Sequence, residues 1–310
     1  MRVPPGTVVD LARTSDPGAT GGFLNRRDAE AALVETSALI SDYQARLAAQ
    51  DRVGVLVLIQ GIDASGKDGT IKHVMDGVNP AGVPVHSFKV PSAEELSHDY
   101  LWRFNSALPR RGEIAIFNRS HYEEVLVVRV HPENLVRQRL PDEVADPTVW
   151  TRRQEEINAW ERYLTANGIR VVKLFLNVSK DEQRARFLER IDRTEKNWKF
   201  SAADINERQY WDQYQRAFSD MLTKTSTTWA PWFVIPADHK WFARLAVAAV
   251  IVDALMEIDP QFPKVSDATK AALEAARRQL IAEPGTSPGT QSGKPSRASR
   301  PPQTDDGGLV

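Results

Sequence analysis

Residues Val53–Lys72 read VGVLVLIQGIDASGKDGTIK, an apolar run of strand length that breaks into Gly61-Ile62-Asp63-Ala64-Ser65-Gly66-Lys67. Two glycines ahead of a lysine, directly after Val55–Ile59 and before a helix-like segment, give the spacing of a phosphate loop. The glycines let the backbone turn tightly, so that its N–H groups converge on phosphate oxygens. The following helix offers its positive N-terminal end, and Lys67 adds a point charge. The expected phosphate-binding set is therefore Gly61, Ala64, Ser65, Gly66, Lys67, Asp68 and Gly69.

The loop departs from the common form at Asp68, where a Ser or Thr hydroxyl would ordinarily hold magnesium. Asp63, inside the loop, is the carboxylate best placed to take that part. Facing bound phosphates, it could meet them through a bridging cation or act as a base toward a phosphate nucleophile.

The apolar run continues into a chain with the rhythm of a parallel sheet. Strand-like stretches recur at Val83–Val90, Glu113–Asn118, Val171–Val178 and Trp232–Ile235. Helix-like stretches separate or flank them at Ala29–Ala49, Tyr100–Leu108, Thr148–Asn167, Asp181–Asp192 and Trp241–Ile258, so the expectation is an α/β sheet covered on both faces. Ligands of such sheets sit beyond the C-terminal strand ends.

With 310 residues and 42% hydrophobic content the chain can bury a substantial core. No apolar stretch has the length of a membrane span, and the first ten residues lack the basic cap and apolar core of an export signal, so the expectation is a cytoplasmic protein with no membrane partner. The absence of cysteine excludes disulfides, thiolate metal sites and cysteine catalysis. A net charge of -1 gives no overall attraction for polyanions, which argues against a nucleic-acid partner and leaves phosphate binding to local clusters. Residues 1–25 read as a loop segment and 26–282 as the main domain. Residues 283–310, rich in Pro, Gly, Ser and Thr, read as a disordered tail.

A second constellation follows Ile114–Phe117, where a buried-type strand ends in Asn118-Arg119-Ser120-His121-Tyr122-Glu123-Glu124. Phosphate-loop enzymes place a second metal-organising group at such a tip, usually an acid. Asn118 carries no charge, so negative charge for a metal must come from Asp63, from Glu123 or Glu124, and from substrate phosphates. Asp63 and Glu123 are the metal candidates. Arg119 would face the same mouth and bind phosphate bidentately, whereas His121 reads as a hydrogen-bonded structural residue.

A third cluster, Arg184, Arg186, Arg190, Arg193, Lys196 and Lys199, places three guanidinium groups on one helix face at i, i+4 and i+7. Downstream of a phosphate loop it reads as a lid, around 181–215, that closes over the transferring group. Arg119, Arg129, His131, Arg137 and Arg139 are further cations that could line a path for a linear polyanion, and Trp102, Phe104 and Trp198 could stack on a base.

Taken together, GIDASGKDG, FNRSHYE, RFLERIDRTEKNWKFS and ERQYWDQY resemble the polyphosphate kinase 2 family, over about Arg26–Ile258. The resemblance implies a thymidylate-kinase-like, three-layer α/β/α P-loop kinase fold with a parallel sheet and a helical lid. It implies phosphoryl transfer between inorganic polyphosphate and nucleoside mono- or diphosphates, with Mg2+ or Mn2+, in a homodimer or homotetramer. By motif, Asp63, Lys67, Asn118 and Arg119 carry the chemistry, and Arg184–Lys199 the lid. Many members have FDRS where this chain has Asn118. The FNRSHYE form looks like the branch that accepts monophosphates as well as diphosphates. An ATP-dependent nucleoside monophosphate kinase would share loop and lid and differ in donor, while a non-catalytic polyanion-binding module is disfavoured by the intact Gly66-Lys67 pair.

Overall fold

The computed structural model describes residues 1–22, 25–199 and 201–283. Five strands form one parallel sheet: β1 (Gly54–Gln60), β2 (Val85–Ser87), β3 (Ile114–Asn118), β4 (Ile169–Asn177) and β5 (Trp232–Pro236). Their order is β2-β3-β1-β4-β5. Every residue of β1 is buried, which is why the strand reads as an unbroken apolar run rather than an alternating one. All five strands lie within or against the stretches expected from sequence.

Side chains of β1 alternate between two cores. Val55, Val57 and Ile59 point toward α1 (Arg26–Gln50), α2 (Lys67–Val74) and α6 (Lys240–Ile258), meeting Ile40, Leu47, Ile71 and Ile251. Leu56 and Leu58 point the other way, toward Ile157 of α3 (Val149–Ala166) and Phe218 and Met221 of α5 (Trp211–Thr225). The result is three layers. Each fully buried Leu or Ile in these cores contributes about 1.5–3 kcal/mol.

Helix α5 is not assigned from sequence, and the helix expected at Tyr100–Leu108 forms one turn, Trp102–Asn105. The N-terminal segment is mostly irregular, yet it is packed. Val3 N–H donates to Trp232 O and Val234 N–H to Met1 O, which pairs the first residues with the free edge of β5. Leu11, in a turn of helix capped by Asp10, is buried in the second core.

Lys173 occupies a core-facing position of β4 and is fully buried. Its three hydrogens go to Glu161 Oε2 at 2.7 Å, Thr225 O at 2.6 Å and the Tyr122 hydroxyl at 2.9 Å. The complete donor set is satisfied, and the charge is paired, so α3, α5 and the turn after β3 are tied to one buried point.

Residues Met1–Pro263 form one compact unit, and a second begins at Lys264. The second contains α7 (Asp267–Ala282), capped by Ser266, none of whose residues is buried. The tail expected to be disordered falls, from residue 284, outside the described residues. Among the described residues no helix is long and apolar enough to cross a membrane.

Candidate active site

The loop between β1 and α2 lies at the centre of the sheet's C-terminal edge, flanked by the tips of β3 and β4. Gly61 is required there: a Cβ would stand 2.7 Å from Ser65 Oγ and 2.9 Å from Leu176 O. Gly66 has φ +103°, and Ala64 and Arg119 hold positive φ of 60° and 64°. A left-handed non-glycine backbone costs energy, so two such residues facing one cavity mark a site whose shape is imposed by its surroundings. Ser65 Oγ is buried without a hydrogen-bond partner in the protein.

Lys67 folds back across the loop, donating to Gly61 O at 2.7 Å and Ile62 O at 3.3 Å. Burial, helped by the Arg119 charge, pushes its ammonium down to about 8, against the opposing pull of Asp63, Glu123 and Asp68. Asp63 is ion-paired with Arg119, whose other nitrogen lies 3.6 Å from Glu123 Oε2. Burial raises the Asp63 carboxyl, but Arg119, Lys67 and Arg190 outweigh it and hold the group below its ordinary value. Arg119 is raised, chiefly by Glu123 and also by Asp63. Both partners are therefore fully ionised at neutral pH.

Asn118, at the tip of β3, donates to Asp68 Oδ1 at 2.7 Å. This contact joins the second motif to the first turn of α2. Glu124 is set apart: it is buried against Arg153 and accepts from Gln138 at 2.8 Å, so of the two adjacent acids Glu123 is the one beside Arg119 and Asp63. Among the described residues no three His, Asp or Glu side chains gather as a ready-made metal cage.

Above the loop opens a cavity of about 490 Å3. Eight basic side chains line it against three carboxylates, Asp63, Asp68 and Glu189. Phe88 is its one aromatic ring among the described residues. A smaller cavity of about 180 Å3 shares Asp63 and Arg119 and is lined also by Glu123, Glu207, Tyr214 and Phe218. The two cavities meet at the Asp63–Arg119 pair.

The family model of polyphosphate kinase 2 matches residues 23–263. The chain belongs to the polyphosphate kinase 2 family. It is 47% identical over 283 residues to an ADP-polyphosphate phosphotransferase of Rhodopseudomonas palustris, covering 91% of this chain and 97% of the relative. It is 44% identical over 270 residues to an AMP/ADP-polyphosphate phosphotransferase of Meiothermus ruber, covering 87% and 97%. The crystal structure of polyphosphate kinase 2 from Arthrobacter aurescens superposes with a TM-score of 0.80 at 39% identity, over 89% of this chain and 95% of that one. The expected P-loop kinase fold and enzyme class agree with these findings.

In this chain the six cations of the expected lid separate into different groups. Ser179 caps α4 (Lys180–Asp192) by accepting from Glu182 N–H at 3.1 Å, which starts the helix directly after β4. Arg190 and Lys196 line the large cavity, as does Arg186. Arg184 and Arg193 are exposed and do not line it. The side chain of Lys199 lies outside the described residues.

Arg186 differs from a mobile phosphate-contacting arginine. It is 5% exposed, and all five of its N–H groups are engaged. Nη1 donates to Ala64 O at 2.9 Å and Ser65 O at 2.7 Å, Nη2 to Asp238 O at 3.2 Å and to Ala237 O, and Nε to Glu182 at 2.7 Å. Its guanidinium fastens the phosphate loop to the turn after β5.

The other expected cations lie elsewhere. Arg129 pairs with Asp220 of α5, and His131 with Glu207 at 3.0 Å. Neither these nor the exposed Arg137 and Arg139 line the large cavity. Lys89, Lys240 and Arg244 line it instead, supplied by the stretch after β2 and the first turns of α6. His121 is fully buried among Phe104, Tyr122 and Trp160, and burial keeps it neutral. Phe104 is core and Trp102 stacks on His98, so neither lines the large cavity.

Proposed function

We propose that this chain transfers a phosphoryl group between inorganic polyphosphate and nucleoside mono- or diphosphates, AMP and ADP first, with Mg2+, as a cytoplasmic homo-oligomer. The observation that carries the reading is the cation-lined cavity over the phosphate loop. A linear phosphate polymer brings about one negative charge per residue, and Lys89, Arg190, Lys196, Lys240 and Arg244 meet it with a row of charges. The names of the relatives, which include AMP, ADP and GDP phosphotransferases, support the same acceptor class.

The loop N–H groups and Lys67 hold the terminal phosphates of the donor. The acceptor phosphate enters from the smaller cavity and meets the donor at the Asp63–Arg119 pair. Its oxygen, already ionised at neutral pH, attacks the terminal phosphorus. The bridging P–O bond breaks, and the shortened chain leaves with the electron pair on its oxygen. No base is needed, so Asp63 orients rather than deprotonates, and Arg119 stabilises charge on the oxygens in flight. Magnesium is held through one or two carboxylates plus substrate phosphates in sites of this kind. Asp63 and Glu123 fit that donor set, and the ion they would hold neutralises charge on the transferring group.

A coupled assay tests the reading by supplying polyphosphate or ATP separately with AMP, ADP, GMP and GDP. Turnover with polyphosphate as sole donor is expected. Turnover with ATP and none with polyphosphate would replace the reading with an ATP-dependent monophosphate kinase.

A further inference from the structure

Among the cations of the large cavity stands one carboxylate that belongs to neither the loop nor the metal candidates. Glu189, on α4, accepts from Lys196 Nζ at 2.6 Å and lies 3.2 Å from Arg193 Nη1 through the same oxygen, Oε1. Its other oxygen accepts from Lys240 Nζ at 3.2 Å. One side chain thus links α4, the 3-10 segment Thr194–Lys199 and the first turn of α6. The Lys196 hydrogen bond, with Lys240 beside it, holds this carboxyl down to about 2, so its charge is permanent at any pH of interest. A fixed negative charge in a cavity built for phosphates opposes every ligand the cavity would take. Its contacts are also the very ammonium groups a phosphate would use.

We propose that Glu189 is an internal counter-anion of the phosphate cavity, which an incoming phosphate chain must displace from Lys196 and Lys240, and which thereby holds those cations paired and lowers anion affinity until the cavity is filled. The inference rests on the donor reading above. Orthophosphate exchanges one set of ion pairs for another and gains little. A chain delivers several charges at once to neighbouring cations and so gains more, and displacing the carboxylate subtracts a similar cost from either anion, which lowers affinity without setting the preference between them. Release of Glu189 also frees Lys196 to follow the phosphates, which links occupancy of the cavity to the arrangement of the segment after α4.

The test is calorimetric titration of the full chain with tripolyphosphate and, separately, with orthophosphate. Glu189→Gln keeps the size and removes the charge. Asp192→Asn removes the same charge from the exposed end of α4, outside the cavity. Glu189→Gln is expected to tighten both anions by about two- to fivefold, the value of a screened ion pair, with tripolyphosphate, the more highly charged, gaining at least as much as orthophosphate. Asp192→Asn is expected to change neither. Weaker binding in Glu189→Gln would make the carboxylate an organiser of the cations and overturn the proposal. So would an unchanged affinity for tripolyphosphate, or an equal effect from Asp192→Asn. Wild-type protein that binds no tripolyphosphate would instead remove the donor reading on which the inference stands.

Discussion

Replacing Arg186 by Lys separates two roles that a lid arginine can have. The guanidinium bridges four carbonyls, Ala64 and Ser65 in the phosphate loop and Ala237 and Asp238 after β5, and reaches Glu182 with its fifth hydrogen. A lysine keeps the charge but offers three hydrogens from one atom, which cannot span both loops. At least two buried acceptors then lose a charged donor, at about 1–2 kcal/mol each, so stability should fall by about 2–4 kcal/mol. For a unit of this size that is a drop in Tm of about 5–15 °C. The loop would also relax, and misplacing the phosphates by an ångström costs about 10–100-fold in rate. Differential scanning calorimetry and initial rates with polyphosphate and ADP measure both quantities on the same sample. Loss of rate at an unchanged Tm would mean that Arg186 touches substrate rather than the loop, and the clamp would be refuted.

Lys67→Ala should lower the rate by about 100-fold or more in a folded protein, because it removes the ammonium that neutralises phosphate charge at the loop; retention of a tenth of the wild-type rate would contradict this. Because burial depresses Lys67 to about 8 from 10.5, the folded chain loses this proton before the unfolded chain does. Between those values the unfolded state binds more protons, so this group adds to stability as pH rises, while phosphate affinity falls. Tripolyphosphate titrations from pH 7 to 9.5 should weaken through about 8, and the same decline in Lys67→Arg would assign it to another group. Asn118→Asp sets a second carboxylate against Asp68, now 2.7 Å away. Activity should fall in this variant and recover in the Asn118→Asp/Asp68→Asn double exchange, whose failure to recover would show that the pair does not act as a unit. Asp63→Asn should lose most activity without full rescue by added magnesium, and near-normal kinetics would transfer its part to Glu123.

Where the sequence was legible, one local pattern carried the information. The phosphate loop is readable because Gly61, crowded by Ser65 four residues on, and Gly66, at positive φ, answer needs of the loop's own tight turn, although Leu176 O of β4 adds a constraint at Gly61 that spacing does not show. Strands β1 and β4 are readable because central parallel strands are apolar on both faces. Helix α5 carries a helical signal, with Tyr214, Ala217, Phe218, Met221 and Leu222 buried at i, i+3, i+4, i+7 and i+8, but it directly follows a polar motif that reads as lid. The cations of the cavity were only partly readable. Lys240 and Arg244 begin an otherwise apolar core helix, and only its tertiary placement turns them toward the phosphate loop. Spacing puts Arg186 and Arg190 on one face of α4, yet it cannot say that the first is buried against four carbonyls. Arg129 and His131 illustrate the converse, since charge near a motif does not reveal the partner, Asp220 or Glu207, that claims it.

The central claim is that the cationic cavity seats the donor. It is tested most directly by the Lys240→Ala/Arg244→Ala double variant, with both substrates varied independently in steady-state kinetics. The account predicts that the apparent KM for polyphosphate rises by about fivefold or more, with weaker salt dependence, while the KM for ADP stays as in wild type. A raised KM for ADP with an unchanged KM for polyphosphate would contradict it.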